Sequence, residues 1–176
     1  MFGQVRRPEE ISANTDYKKI FLYRRNITER LLSGLIAHRT KSWAIPNDQR
    51  QYNLPEPLHI DVSKMEKDCH SRFTTICKLM TALKGEYIIL CYEDLVDDQN
   101  QLNLDAFNKA RQFVGLPKLD SFVPPIKKQT SREYYERNIE NLSEIDEVIG
   151  PTYGKVGSRD EPQIWHCGEI RQTRQI

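Results

Sequence analysis

The chain has 176 residues, 26 basic and 25 acidic side chains and a net charge of +1. That length suits one domain burying about 70% of the surface of its unfolded form. The charge balance excludes a dedicated nucleic-acid binder, so any anion site must be a local cluster. No run approaches the roughly 18 apolar residues of a membrane span, and Met-Phe-Gly-Gln-Val-Arg-Arg has no signal-peptide core. These features predict a soluble protein, cytoplasmic rather than luminal.

In chain order, residues 1–16 contain one glycine and no apolar strand run, and read as an N-terminal extension or the remnant of a truncation. Tyr17 to Tyr23 reads as a strand and Asn26 to about His38 as a helix, with Asn26 as N-cap and Glu29 closing a capping box. Lys41 to Pro57 is a polar loop with three prolines. Leu58 to Val62 suggests a short strand. Ser63 and Glu66 signal a helix to about Leu83, with Met65, Cys69, Phe73, Ile76, Cys77, Met80 and Leu83 at helical spacing. Lys84-Gly85 ends it, Glu86 to Tyr92 is a strand, and Leu104 to Val114 is a helix stopped by Gly115 and Pro117. Helical signal resumes from Ser131 to Ile149, broken near Asn141 and stopped by Gly150-Pro151; from Thr152 the chain reads as irregular. Strands alternating with helices predict an α/β fold with parallel pairing. The expected units are 17–150 as the α/β domain and 151–176 as a tail.

The chemistry concentrates where the first strand meets the first helix. Ile20-Phe-Leu-Tyr delivers Arg24-Arg25 to a helix N-terminus, which offers unpaired N–H groups and a partial positive charge. Arginine adds a planar fork of donors suited to phosphate. Asn26, Arg30 and Ser33 share one polar stripe, with Ser33 about 10 Å along the axis from the cap. A long side chain from Arg24 or Arg25 is needed to converge with Ser33 on one anion. The bland alternative is two solvated arginines and a serine facing water.

The run Phe-Leu-Tyr-Arg-Arg-Asn, with Ser33 eight positions after Arg25, resembles the 3'-phosphate-binding segment of sulfotransferases that use 3'-phosphoadenosine 5'-phosphosulfate (PAPS). Tyr87-Ile-Ile-Leu-Cys-Tyr-Glu-Asp-Leu95, the stretch from Phe107 to Gly115-Leu-Pro117, and then Lys127-Lys-Gln-Thr130 with Ile139-Glu-Asn-Leu-Ser-Glu-Ile145 extend the likeness in the same order. The resemblance implies a partial P-loop-type, sulfotransferase-like parallel sheet flanked by helices. It implies PAPS or 3',5'-ADP as cofactor, with Arg25 and Ser33 on the 3'-phosphate and Arg24 as the competing choice of arginine. The implied partners are this nucleotide sulfate donor and a hydroxyl-bearing acceptor of unknown class, with a second copy or a complementing subunit as the candidate protein partner.

The likeness covers the family's C-terminal portion. A glycine-containing loop for the 5'-phosphosulfate is not found among residues 1–16, so the sequence is expected to be truncated, split or degenerate. A nucleotide kinase is disfavoured by the same missing loop. Gly154-Lys-Val-Gly157 sits where some sulfotransferases carry Lys-Gly-x-x-Gly-x-Trp, but Tyr153 and Arg159 occupy the lysine and tryptophan positions, so the stretch reads as a flexible turn. His38, His59, His70 and His166 lack a diagnostic neighbour, and no catalytic residue is assigned. Glu93-Asp94 reads as a loop-fixing pair on an extended segment rather than a catalytic dyad. Cys69, Cys77, Cys91 and Cys167 lack Cys-x-x-Cys spacing, so no metal is expected. Two other classes stay open: a non-catalytic nucleotide-binding or interaction module, and a helix-rich partner that docks the apolar face of Ser63 to Leu83 outward.

Overall fold

The computed structural model describes residues 8–43, 54–96, 101–122 and 131–166. Arg6-Arg7, most of the proline loop, Lys127-Lys-Gln-Thr130 and Cys167 lie outside them. The fold is mixed α/β: α1 (Pro8–Ala13), β1 (Lys19–Tyr23), α2 (Ile27–Thr40), α3 (Val62–Thr81), β2 (Tyr87–Cys91), α4 (Tyr92–Leu95), α5 (Leu104–Phe113), α6 (Arg132–Asn138), α7 (Leu142–Val148), α8 (Gly150–Tyr153) and a 3₁₀ turn at Gln163–His166. No helix among the described residues is long and apolar enough to cross a membrane.

The two strands pair in parallel, with Lys19 opposite Tyr87 and Tyr23 opposite Cys91. Parallel partners need a crossover, and the intervening chain supplies it as α2 and α3. Alternation along β1 sends Phe21 and Tyr23 into the core and leaves Ile20 and Leu22 exposed. Lys18 and Lys19, the basic pair at the start of the first strand, are both committed to nearby partners. Lys18 pairs with Glu86 at 3.1 Å, and Lys19 donates to the Asn14 carbonyl.

The helices pack one apolar face each. α2 buries Ile27, Leu32 and Ile36, and α3 buries Met65, Cys69 and Met80, with Phe73, Ile76 and Cys77 against the same core. The face of Ser63 to Leu83 therefore points inward, and the outward-docking reading is corrected by the packing. α6 and α7 add Tyr134, Tyr135, Ile139, Leu142, Ile145 and Ile149. Burial drives Cys69 and Cys91 up to about 12, so both thiols stay protonated in the core at neutral pH.

Four local expectations change. α3 starts at Val62 because Asp61, not Ser63, is the N-cap, its side chain accepting the Lys64 N–H at 3.0 Å. The strand expected at Leu58 to Val62 shrinks to one bridge, Leu58 to Ile139. α7 stops at Val148 ahead of Gly150-Pro151, as expected, but a further short helix, α8, follows at once, with Pro151 in its first turn, where proline is tolerated. The segment after Gly150 carries Tyr153, Val156 and Trp165 into the core, where Trp165 meets the rings of Tyr23 and Phe73 at 5.1 Å each.

Candidate anion-binding cleft at the β1–α2 junction

Because Tyr23 lies opposite Cys91, the residues that follow the two strands emerge side by side. After β1 come Arg24, Arg25 and Asn26; after β2 come Tyr92, Glu93 and Asp94. Asn26 has extended backbone and accepts the Glu29 N–H at 2.8 Å, so half of the expected capping box forms. The reciprocal half does not come from Glu29. Glu93 accepts the Asn26 N–H at 3.2 Å and the Arg25 N–H at 2.8 Å, and the Cys91 thiol donates to it at 2.9 Å. A carboxylate from the neighbouring strand thus closes the cap. Burial pushes the Glu93 carboxyl up, but the Cys91 thiol and the Arg25 and Asn26 N–H groups outweigh it and hold Glu93 below the usual range.

The Glu93-Asp94 segment is a helical turn, not the extended stretch expected. The turn aims Glu93 inward at the junction backbone and lets Asp94 reach the Arg25 guanidinium at 2.8 Å. Both carboxylates therefore fix Arg25, one through its backbone and one through its side chain.

The two arginines diverge, as neighbours on an extended stretch do. Arg25 turns to Asp94 while its carbonyl accepts the Trp165 indole N–H at 2.9 Å. Arg24 lies over the Tyr92 ring at 4.3 Å and faces Glu29 at 3.9 Å. The Nε–H of each arginine is buried with no hydrogen-bond partner among the described residues. Arg30 is held below its usual value by burial and by Arg72 and Arg24, marking a concentration of positive charge on this side of α2.

The Gly154 to Gly157 loop, read as a flexible turn, is latched instead. Asn26 donates its side-chain amide to the Lys155 carbonyl at 2.6 Å and to the Ser158 carbonyl at 3.4 Å. Asp146 accepts the Val156 N–H at 2.8 Å and the Arg132 guanidinium at 2.7 Å, and Arg132 also donates to the Val156 carbonyl at 2.9 Å. Gly157 donates to Glu29 at 3.4 Å. These bonds bring Arg159 to the junction, where it donates to the Val96 carbonyl at 2.6 Å.

A small cleft results, lined by Arg24, Glu29, Glu93, Gly157, Ser158 and Arg159 among others. Of the residues singled out from sequence, Arg24 lines it, Arg25 sits beside it on Asp94, and Ser33 is half-buried two turns along α2, outside the lining. Arg159 and the Asp146–Arg132 latch were missed as parts of the site, and Glu29 was read only as a capping residue. The Gly-x-x-Gly spacing was the one local signal for Arg159. His38, His59 and His70 lie outside the lining; His59 pairs with Glu140 at 3.3 Å, and His70 lies 3.4 Å from the Tyr153 hydroxyl. The His166 side chain lies outside the described residues. No group of three metal-ligating side chains occurs among the described residues.

Gly154 tests the latch directly. Its φ is +108°, and a Cβ there would lie 2.7 Å from Asn26 Cγ. Gly154→Ala is expected to lose on the order of 3 kcal/mol, from backbone strain together with overpacking. The urea midpoint of unfolding reads the loss.

No family model, no curated protein and no solved structure matches this chain.

Proposed function

We propose that this chain binds the phosphate of a nucleotide as the 3'-phosphate-binding part of a PAPS-dependent sulfotransferase, on a sheet of the P-loop type. The observation that carries the reading is the buried Nε–H of Arg24, which lines the cleft beside the N-terminus of α2 and has no acceptor among the described residues. An unmade buried hydrogen bond costs about 1–3 kcal/mol, and a phosphate monoester offers acceptors that recover it. Arg159 adds a second guanidinium to the cleft and Gly157 a backbone N–H. PAPS and 3',5'-ADP fit this donor set through their 3'-phosphate.

In this reading PAPS, when bound, would supply the sulfuryl group to a hydroxyl acceptor, with 3',5'-ADP as the leaving group and the hydroxyl proton released. Arg24 and Arg159 hold the 3'-phosphate, with Arg25 and Ser33 assigned there by resemblance. Glu93 and Asn26 keep the junction and the glycine loop in place around it. Anchoring a remote phosphate orients the donor without touching the bond that breaks. No general base is assigned.

The balance of charge in the cleft favours a second reading. Glu29 and Glu93 line it alongside Arg24 and Arg159, which suits a non-catalytic nucleotide-binding or interaction module. Sulfate transfer from PAPS to an acceptor distinguishes the enzyme from the module.

Thermal unfolding with 3',5'-ADP tests binding in both cases. Ligand at 100 times its Kd adds about 2.7 kcal/mol. For a chain of this size that raises Tm by about 5–10 °C. Arg24→Ala is expected to remove the shift. An unchanged Tm for the wild type at millimolar ligand would overturn the proposal.

A further inference from the structure

We propose that the Glu29 carboxylate is a built-in competitor for the anion this cleft takes, so that a phosphate enters by displacing it from Gly157 and Arg24. The inference rests on the anion-binding reading above and adds how that site is controlled.

Glu29 sits in the first turn of α2, with its side chain 7% exposed. The position is that of a capping-box glutamate, whose carboxylate ordinarily returns to the N-cap N–H. Here Glu93 holds the Asn26 N–H, and the Glu29 carboxylate is turned to the cleft. One oxygen lies 3.4 Å from the Gly157 nitrogen and the other 3.9 Å from Arg24 Nη2. Charge-assisted hydrogen bonds measure about 2.7–2.9 Å, so both donors are faced without being saturated. Arg24 also keeps its buried Nε–H without an acceptor among the described residues. A tetrahedral dianion reaches these donors with several oxygens at once, which one carboxylate cannot.

A fixed negative charge within several ångströms of an arriving phosphate opposes it strongly at the effective dielectric of a protein surface. The cleft is therefore self-neutralised by Glu29, and ligand binding exchanges one anion for another. Glu29→Gln keeps the shape of the side chain and removes the charge.

The test is calorimetric titration of the full chain, wild type and Glu29→Gln, with inorganic phosphate and with 3',5'-ADP. The variant is expected to bind both about tenfold more tightly, the order that loss of a nearby like charge allows. Equal or weaker binding by the variant, with wild-type binding intact, overturns the competition and leaves the anion reading standing. No binding by either protein overturns both. A wild-type measurement guards against a folding defect in the variant: the Gly157 amide resonance is expected to move on saturation with 3',5'-ADP, and an unmoved resonance in a protein that binds the nucleotide overturns the proposal.

Discussion

Trp165→Ala is expected to lose about 3–5 kcal/mol, the range for truncating a fully buried aromatic residue. Total stabilities of single domains run at about 5–15 kcal/mol, so this one change removes a large share. Trp165 is 2% exposed, wedged between Tyr23 at the end of β1 and Phe73 on α3. It therefore ties the last described segment to the sheet and to the crossover. Its indole also donates to the Arg25 carbonyl, so packing and the anion site share one residue. Trp165→Phe separates the two roles. That variant keeps most of the ring packing and is expected to lose about 1 kcal/mol for the missing hydrogen bond. Guanidinium unfolding followed by circular dichroism measures both. A loss below about 1 kcal/mol for the alanine variant would show that the segment is not part of the core.

Glu93→Gln is expected to lose about 2–3 kcal/mol at pH 7, because a charged acceptor of three hydrogen bonds is exchanged for an amide whose NH₂ cannot accept. The pH dependence gives an independent reading. The carboxyl is depressed in the fold below its unfolded value, so its contribution is fully present above the unfolded pKa of about 4.3. It is lost as pH falls from there through the lower folded value. Wild-type stability should therefore drop on acidification below about pH 4.5, and the variant should show a shallower drop from a lower plateau. Asp94 is the internal control: its side chain is 58% exposed, and Asp94→Asn is expected to change stability by less than about 1 kcal/mol despite the ion pair with Arg25. Urea titrations from pH 3 to 7 resolve the three proteins. Parallel acid limbs for wild type and Glu93→Gln would remove Glu93 from its capping role.

Elements whose signals lie within a few residues were legible without coordinates. The apolar run before Arg24, the Asn26 cap, the helical spacing from Met65 to Met80 and the Gly115 stop each depend on neighbours in the chain, and each appears in the fold within a few residues of its expected place. The break between α6 and α7 near Asn141 was readable for the same reason. Competition between nearby caps was not. Asp61 and Ser63 are both good N-caps two residues apart, and the isolated bridge from Leu58 to Ile139 leaves Asp61 in the capping position.

The amino-acid order thus sets the α/β class, the parallel sense of the strands and the basic junction ahead of α2, because periodicity, caps and stops act over one or two helical turns. Which arginine faces the cleft, which glutamate closes the cap and whether the glycine loop is held are settled by contacts between residues 67 to 132 positions apart. Those contacts follow from one register, Tyr23 beside Cys91, and from the return of the last segment over α2. Strand register and long-range return are properties of the packed chain. They depend on the shape of the whole core, which no short stretch of sequence encodes.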